Sequence, residues 1–178
     1  MLRITAVLVV LLLLGLIALY VLEFRWFDRT IGMRNLALYA MAAGAALGAA
    51  LGRRFRPQGR NTVEKVQLYV FFIFICTLFA PLAASLSNRL LSLSAPRLEQ
   101  ITFFEEQAFY SDRYGLIKGE RVEPDGYYTF FYYHGRLRRI KSEQPLLPGR
   151  ERGETAELRI KRGLWGYDVV VVEVREGE

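Results

Sequence analysis

The hydrophobic pattern of the chain changes character near residue 92. Before it, apolar residues come in long runs; beyond it, they alternate with polar ones. The first run, Ile4 to Leu22, is interrupted only by Thr5, Gly15 and Tyr20. As a helix it extends about 28 Å, close to the hydrocarbon thickness of a bilayer. The second run, Leu36 to Gly52, is built mostly from Ala and Gly and extends about 25 Å, enough to cross with little tilt. The third, Leu68 to Leu86, carries Tyr69, Phe71, Phe72, Phe74 and Phe79 together with Pro81. That proline removes one backbone hydrogen bond and predicts a kink, which membrane helices tolerate. Asn61 followed by Glu64 has the form of a capping box, which starts a helix at Thr62. An amphipathic continuation through Ser85–Ser94 is stopped by Pro96.

Beyond Pro96 the period shortens. Tyr127 to Tyr133 is an aromatic-rich strand, His134-Gly135 a tight turn, and Arg136 to Lys141 the returning strand of a hairpin. In Thr155 to Arg162, Ala156, Leu158 and Ile160 alternate with Glu157, Arg159 and Lys161, the pattern of a half-buried strand. Gly163 to Gly166 turns the chain into Tyr167–Val174, whose four consecutive valines predict a strand covered on both faces. Arg97–Tyr110 fits helix or strand equally. Gln144–Glu154, with Pro145, Pro148 and Gly149, is a loop. The fold class expected is therefore three transmembrane helices plus a small C-terminal β-rich, mainly antiparallel soluble domain. The transmembrane region occupies 1–95, with spans about 4–22, 36–52 and 66–88, and the soluble domain 96–178.

A cleavable signal peptide competes for the first run, since Arg3 supplies a short positive leader. The run is longer than such peptides use, and Glu23, Phe24, Arg25 and Trp26 form a poor cleavage context, so an uncleaved signal anchor is expected. The segment from Glu23 to Arg34 mixes Phe24, Trp26 and Phe27 with charge, as at a headgroup interface.

Charge sharpens the division. The net charge of +6 lies entirely in the apolar half, in short loops. Such residues set topology or meet anionic headgroups, which argues against nucleic acid as a partner. Arg3 with Arg53, Arg54, Arg56, Arg60 and Lys65 on one side outnumber Arg25, Arg29, Arg34, Arg89 and Arg97 on the other. This places the N-terminus and basic loop in the cytoplasm and the C-terminal domain outside it, in a multi-pass protein of the cell membrane. Arg53, Arg54 and Arg56 are candidate headgroup contacts.

Candidate chemistry is sparse. With one Cys (Cys76) and one His (His134), no metal site of His/Cys type is expected, and no cofactor motif or catalytic constellation stands out. Cys76 reads as an apolar packing residue and His134 as an exposed turn residue. No ionisable group falls inside the three runs, which argues against a transport path. Thr77 and Ser85 are expected to bond the preceding turn of their own helix. Ala40, Gly44, Gly48 and Gly52 recur every four residues and line one helix face, a packing interface for a helix of this chain or of another. Alanines at 42, 43, 45, 46, 49 and 50 make most of the remaining circumference small, so both uses are open.

In the soluble domain, Tyr128, Phe130 and Tyr132 are a candidate binding platform. Arg136, Arg138, Arg139 and Lys141 form a basic stripe suited to the phosphates of lipid or to charged groups of a partner. Glu105, Glu106 and Asp112 read as a solvated acidic face. The expectation that follows is a non-catalytic accessory or scaffolding subunit of a larger membrane assembly, with the bilayer and other subunits or a second copy as partners. A stand-alone membrane-anchored binding or sensory module is the alternative, and an enzyme with its site at the membrane junction a third.

Overall fold

The computed structural model describes residues 2–110 and 124–171. Asp112 and Val172 to Val174 lie outside the described residues. Two compact units form, Met1–Phe27 with Gly32–Ser92, and Asp28–Ile31 with Leu93–Glu178.

The first unit is helical: α1 (Leu2–Arg29), α2 (Met33–Phe55), a single 3-10 turn at Arg56–Gln58, and α3 (Thr62–Leu90). Among the described residues these three helices are long and apolar enough to cross a membrane. They outrun the apolar runs that predict them. α1 continues to Arg29, where a loop is expected from Glu23 onward. Tyr20, Phe24 and Phe27 stand three or four residues apart, and their rings meet edge-on at 5.2 to 5.7 Å, which holds that last stretch in helical form. At the start of α3 the Glu64 amide donates to the Asn61 side chain over 2.8 Å, as the capping box requires. The Glu64 carboxylate accepts from the Arg60 amide at 2.7 Å rather than from Asn61 itself. α3 runs on through Pro81 without a break and ends at Leu90, short of the expected extension to Ser94.

α2 packs on α3 through glycine. Gly44, Gly48 and Gly52 are the points of closest approach and are all buried. A Cβ at Gly48 would stand 2.5 Å from the Phe72 carbonyl oxygen and 2.6 Å from the Ile73 Cα. At Gly44 it would meet the Cys76 carbonyl oxygen at 2.6 Å and the Ala80 Cβ at 2.7 Å. Backbone thus lies directly on backbone, where a side chain has no room.

The second unit is a five-stranded antiparallel sheet, curled as a half-barrel, in the order β3-β2-β1-β4-β5. Its strands are β1 (Arg97–Phe109), β2 (Gly126–Tyr133), β3 (Arg136–Ser142), β4 (Thr155–Arg162) and β5 (Asp168–Val170). The stretch ambiguous in sequence becomes β1, the central strand, paired to β2 and β4. A register shift between Phe103 and Glu105 leaves Phe104 as an extra residue in that strand. The β2–β3 turn has φ of 49° at His134 and 70° at Gly135. Two successive left-handed residues match the twist of a two-residue hairpin, and glycine meets that demand without strain.

Ile101, Phe131, Ile140, Ala156, Leu158, Ile160 and Val170 form the core on one face, with Leu146 and Leu147 of the 144–154 loop packed against it. Val169 and Val170 are both buried, but β5 ends at Val170 and Val171 is half-buried outside it, so the described strand is shorter than the expected Tyr167–Val174. One contribution is unexpected. Residues of the segment read as an interfacial loop belong to this unit: Thr30 bridges Val169, the Ile31 amide donates to the Asp168 carbonyl at 2.8 Å, and Ile31 joins the core.

Replacing Gly48 with leucine is expected to destabilise the α2–α3 pair by about 1–3 kcal/mol, the usual cost of overpacking. Gly15, which has nothing within 4 Å, should accept the same change without loss. Thermal unfolding in detergent, followed by helical circular dichroism, measures both; identical curves would contradict the seam.

Candidate functional site

The small-residue face predicted on α2 is occupied by α3 of the same chain. Gly44, Gly48 and Gly52 are covered, and Ala40 at the end of the row is half-buried. The opposite side of the helix is small as well and stays open. Ala42, Ala43, Ala46 and Ala50 are exposed, beside Tyr39 at 71% exposure.

A charged cluster ties α1 to α3. Glu23 is 2% exposed, and both of its carboxylate oxygens are engaged. Ser85 Oγ donates to Oε1 at 2.8 Å, and Arg89 Nη2 meets Oε2 at 2.9 Å. The Arg89 guanidinium also lies 4.2 Å from the centre of the Trp26 ring. A buried carboxylate is tolerated when hydrogen bonds and an opposite charge compensate its lost hydration, and here both do. Ser85 therefore reaches across to α1 instead of bonding its own helix, and Thr77 Oγ1, also expected to bond its own helix, has no hydrogen-bond partner among the described residues. Sequence reasoning passed over Glu23 because it follows the first apolar run. The available signal was the spacing of Ser85 and Arg89, four apart on one face of α3.

In the sheet, Tyr128, Phe130 and Tyr132 share the face opposite the core and are half-buried or exposed. They are not bare rings. The Arg139 guanidinium stands 4.8 Å over Tyr128, the Lys141 ammonium lies 4.2 Å from the Phe109 ring, and Tyr132 meets Phe104 edge-on at 5.9 Å. The basic stripe of β3 divides between two faces. Arg139 and Lys141 lie on the aromatic side, while Arg136 and Arg138 alternate with them on the side of buried Ile140. Arg53, Arg54 and Arg56 are exposed at the end of α2.

The acidic pair reads differently from expectation. Glu105 is exposed and accepts from Gln107 at 2.7 Å, but Glu106 is half-buried. One Glu106 carboxylate oxygen accepts from Thr129 Oγ1 at 2.7 Å and from the Leu146 amide at 2.9 Å. It fastens the 144–154 loop to the sheet.

The cavities of the sheet involve the alternates of the predicted platform. Tyr127 borders an open groove with Phe104 and Arg152. Tyr133 and His134 border a polar pocket of about 300 Å³ where β1 and β5 begin and β2 and β4 end, with Arg97, Glu99, Arg162 and Asp168. The Tyr133 hydroxyl donates to Asp168 Oδ2 at 3.2 Å. Burial, reinforced by the Asp168 charge, pushes the Tyr133 hydroxyl up to about 12. It stays a neutral donor across the physiological range. His134 lies against Tyr133, ring centres 4.1 Å apart. Among the described residues no group of three His, Cys, Asp or Glu side chains is placed to hold a metal ion.

Compared with protein-family models, with curated proteins and with solved structures, the chain matches none.

Glu23→Leu removes the carboxylate that balances Arg89 and is expected to cost about 3 kcal/mol. The double change Glu23→Leu with Arg89→Leu should recover most of that loss, because no buried charge then lacks a partner. A double-mutant cycle read by thermal unfolding in detergent checks this; purely additive losses would contradict the pairing.

Proposed function

We propose that the chain is a non-catalytic accessory or scaffolding subunit of a larger membrane assembly. In this reading α1, α2 and α3 cross the bilayer, the α2–α3 turn lies in the cytoplasm, and the β unit stands outside it. The observation that carries the reading is the second small face of α2. Surfaces that meet only lipid gain nothing from small side chains, and most exposed positions of α1 are accordingly bulky, with Val7, Leu8, Leu11, Leu12 and Leu22 among them and only Gly15 and Ala18 small among those described. Most exposed apolar positions of α3 are likewise large, with Val66, Val70, Phe71, Phe74 and Leu78 against a single exposed alanine, Ala83. Ala42, Ala43, Ala46 and Ala50 differ in kind. They let a further helix approach closely enough for van der Waals contact to hold it. The glycine row already serves the chain's own hairpin, so docking falls to the alanine side.

A stand-alone membrane-anchored binding module is the second reading, and the polar pocket around Tyr133 and Asp168 favours it. In that case the chain would act without other subunits.

Ala46→Phe separates the two. It adds bulk on an exposed face, so the folded chain should insert and unfold as the parent does. On the subunit reading, co-purification of companion chains in mild detergent should fall several-fold. Isolation of the unaltered chain as a monodisperse monomer, or co-purification indifferent to Ala46→Phe, would reject it.

A further inference from the structure

The α2–α3 turn concentrates positive charge that the chain does not use. Arg53, Arg54, Arg56 and Arg60 are all exposed, and among the described residues none of their guanidinium groups has a hydrogen-bond or ion-pair partner. Glu64 is the one acidic residue between Arg53 and Gln67, and its carboxylate is held by the Arg60 amide. Immediately beside these cations the surface turns aromatic and apolar. Phe55 stacks on Phe72 at 5.1 Å, and Tyr69 packs over Gly52. An open groove of about 500 Å³ is lined by Gln58, Gly59, Glu64, Gln67, Leu68 and Phe71, polar at the turn and apolar at Leu68 and Phe71. Cations at the turn, rings at the level beneath, and Leu68 and Phe71 in the groove follow the chemical order of a phospholipid from headgroup to acyl chain.

We infer that this turn binds an anionic phospholipid. Its phosphodiester lies against the guanidinium groups of Arg53, Arg54, Arg56 and Arg60, and one acyl chain follows the groove along Leu68 and Phe71. The inference rests on the membrane placement proposed above, though not on the subunit role. Guanidinium suits the task because its planar fork can donate two parallel hydrogen bonds to one phosphate. Charges that serve only to orient the chain in the membrane would show no such retention of a particular headgroup.

The test uses the full chain in mild detergent, with partitioning into the detergent phase recorded first, so that failure of the membrane placement is read separately. Native mass spectrometry then follows binding of phosphatidylglycerol and of phosphatidylcholine with matched acyl chains. Phosphatidylglycerol should bind preferentially, and the preference should shrink as salt rises. The triple variant Arg53→Gln, Arg54→Gln, Arg56→Gln should weaken phosphatidylglycerol binding about a hundredfold, at about fivefold per cation. The corresponding triple lysine variant keeps the charge and should keep most of the preference, which separates lost binding from lost folding. Equal binding of the two lipids by the unaltered chain would overturn the inference. So would an undiminished preference in the folded glutamine variant, or displacement of phosphatidylglycerol by inorganic phosphate, which would make a free anion the occupant.

Discussion

The apolar surface of the helical unit sets the terms for everything else. Leu8, Leu11, Leu12, Leu14, Ile17 and Leu22 of α1 are each more than half exposed, and Val70, Phe71 and Phe74 of α3 are too. In water such a surface would be lost to collapse or aggregation, because burying apolar area is the main drive for folding. In hydrocarbon it costs nothing. The same medium removes the hydrophobic drive between helices, so they associate only through close packing and polar contacts. Both devices are present. α2 meets α3 backbone to backbone through Gly44, Gly48 and Gly52, and α1 is joined to α3 by the Glu23, Ser85 and Arg89 cluster.

The two devices differ in what they demand. The glycine seam needs absence of bulk, so any side chain at Gly48 works against it. The Glu23 cluster needs complete satisfaction of a buried carboxylate, so removing Ser85 or Arg89 leaves one of its oxygens without the partner it has now. Meanwhile the β unit follows the rules of a water-soluble sheet, with alternating strands and one buried face. Only Asp28–Ile31, the last residues of α1 and the first of its link to α2, depart from the sequence order by joining that sheet through Thr30 and Ile31.

What was legible in the sequence was whatever local physics decides. The cap at Asn61, the two left-handed residues of the His134-Gly135 turn, the alternation of Ala156, Leu158 and Ile160, and the three apolar runs depend on neighbours in the chain. Long-range choices were hidden. β1 mixes Glu, Gln and Ala with Ile and Phe, and its strand form follows from lying between β2 and β4. Glu106 looked solvated, yet Thr129 and the Leu146 amide bring it inward. The glycine row announced a packing face, but which helix fills it was settled by the hairpin between α2 and α3. The basic run of β3 looked like one stripe until the pleat sent Arg139 and Lys141 to the aromatic side.

The bilayer as solvent for α1, α2 and α3 is the claim on which the proposed role and the lipid site both stand. Alkaline carbonate extraction of membranes from cells producing the full chain tests it most directly. An integral protein stays in the pellet and is released only by detergent. Recovery of the chain in the carbonate supernatant as a folded, soluble monomer would contradict that placement and the roles built on it.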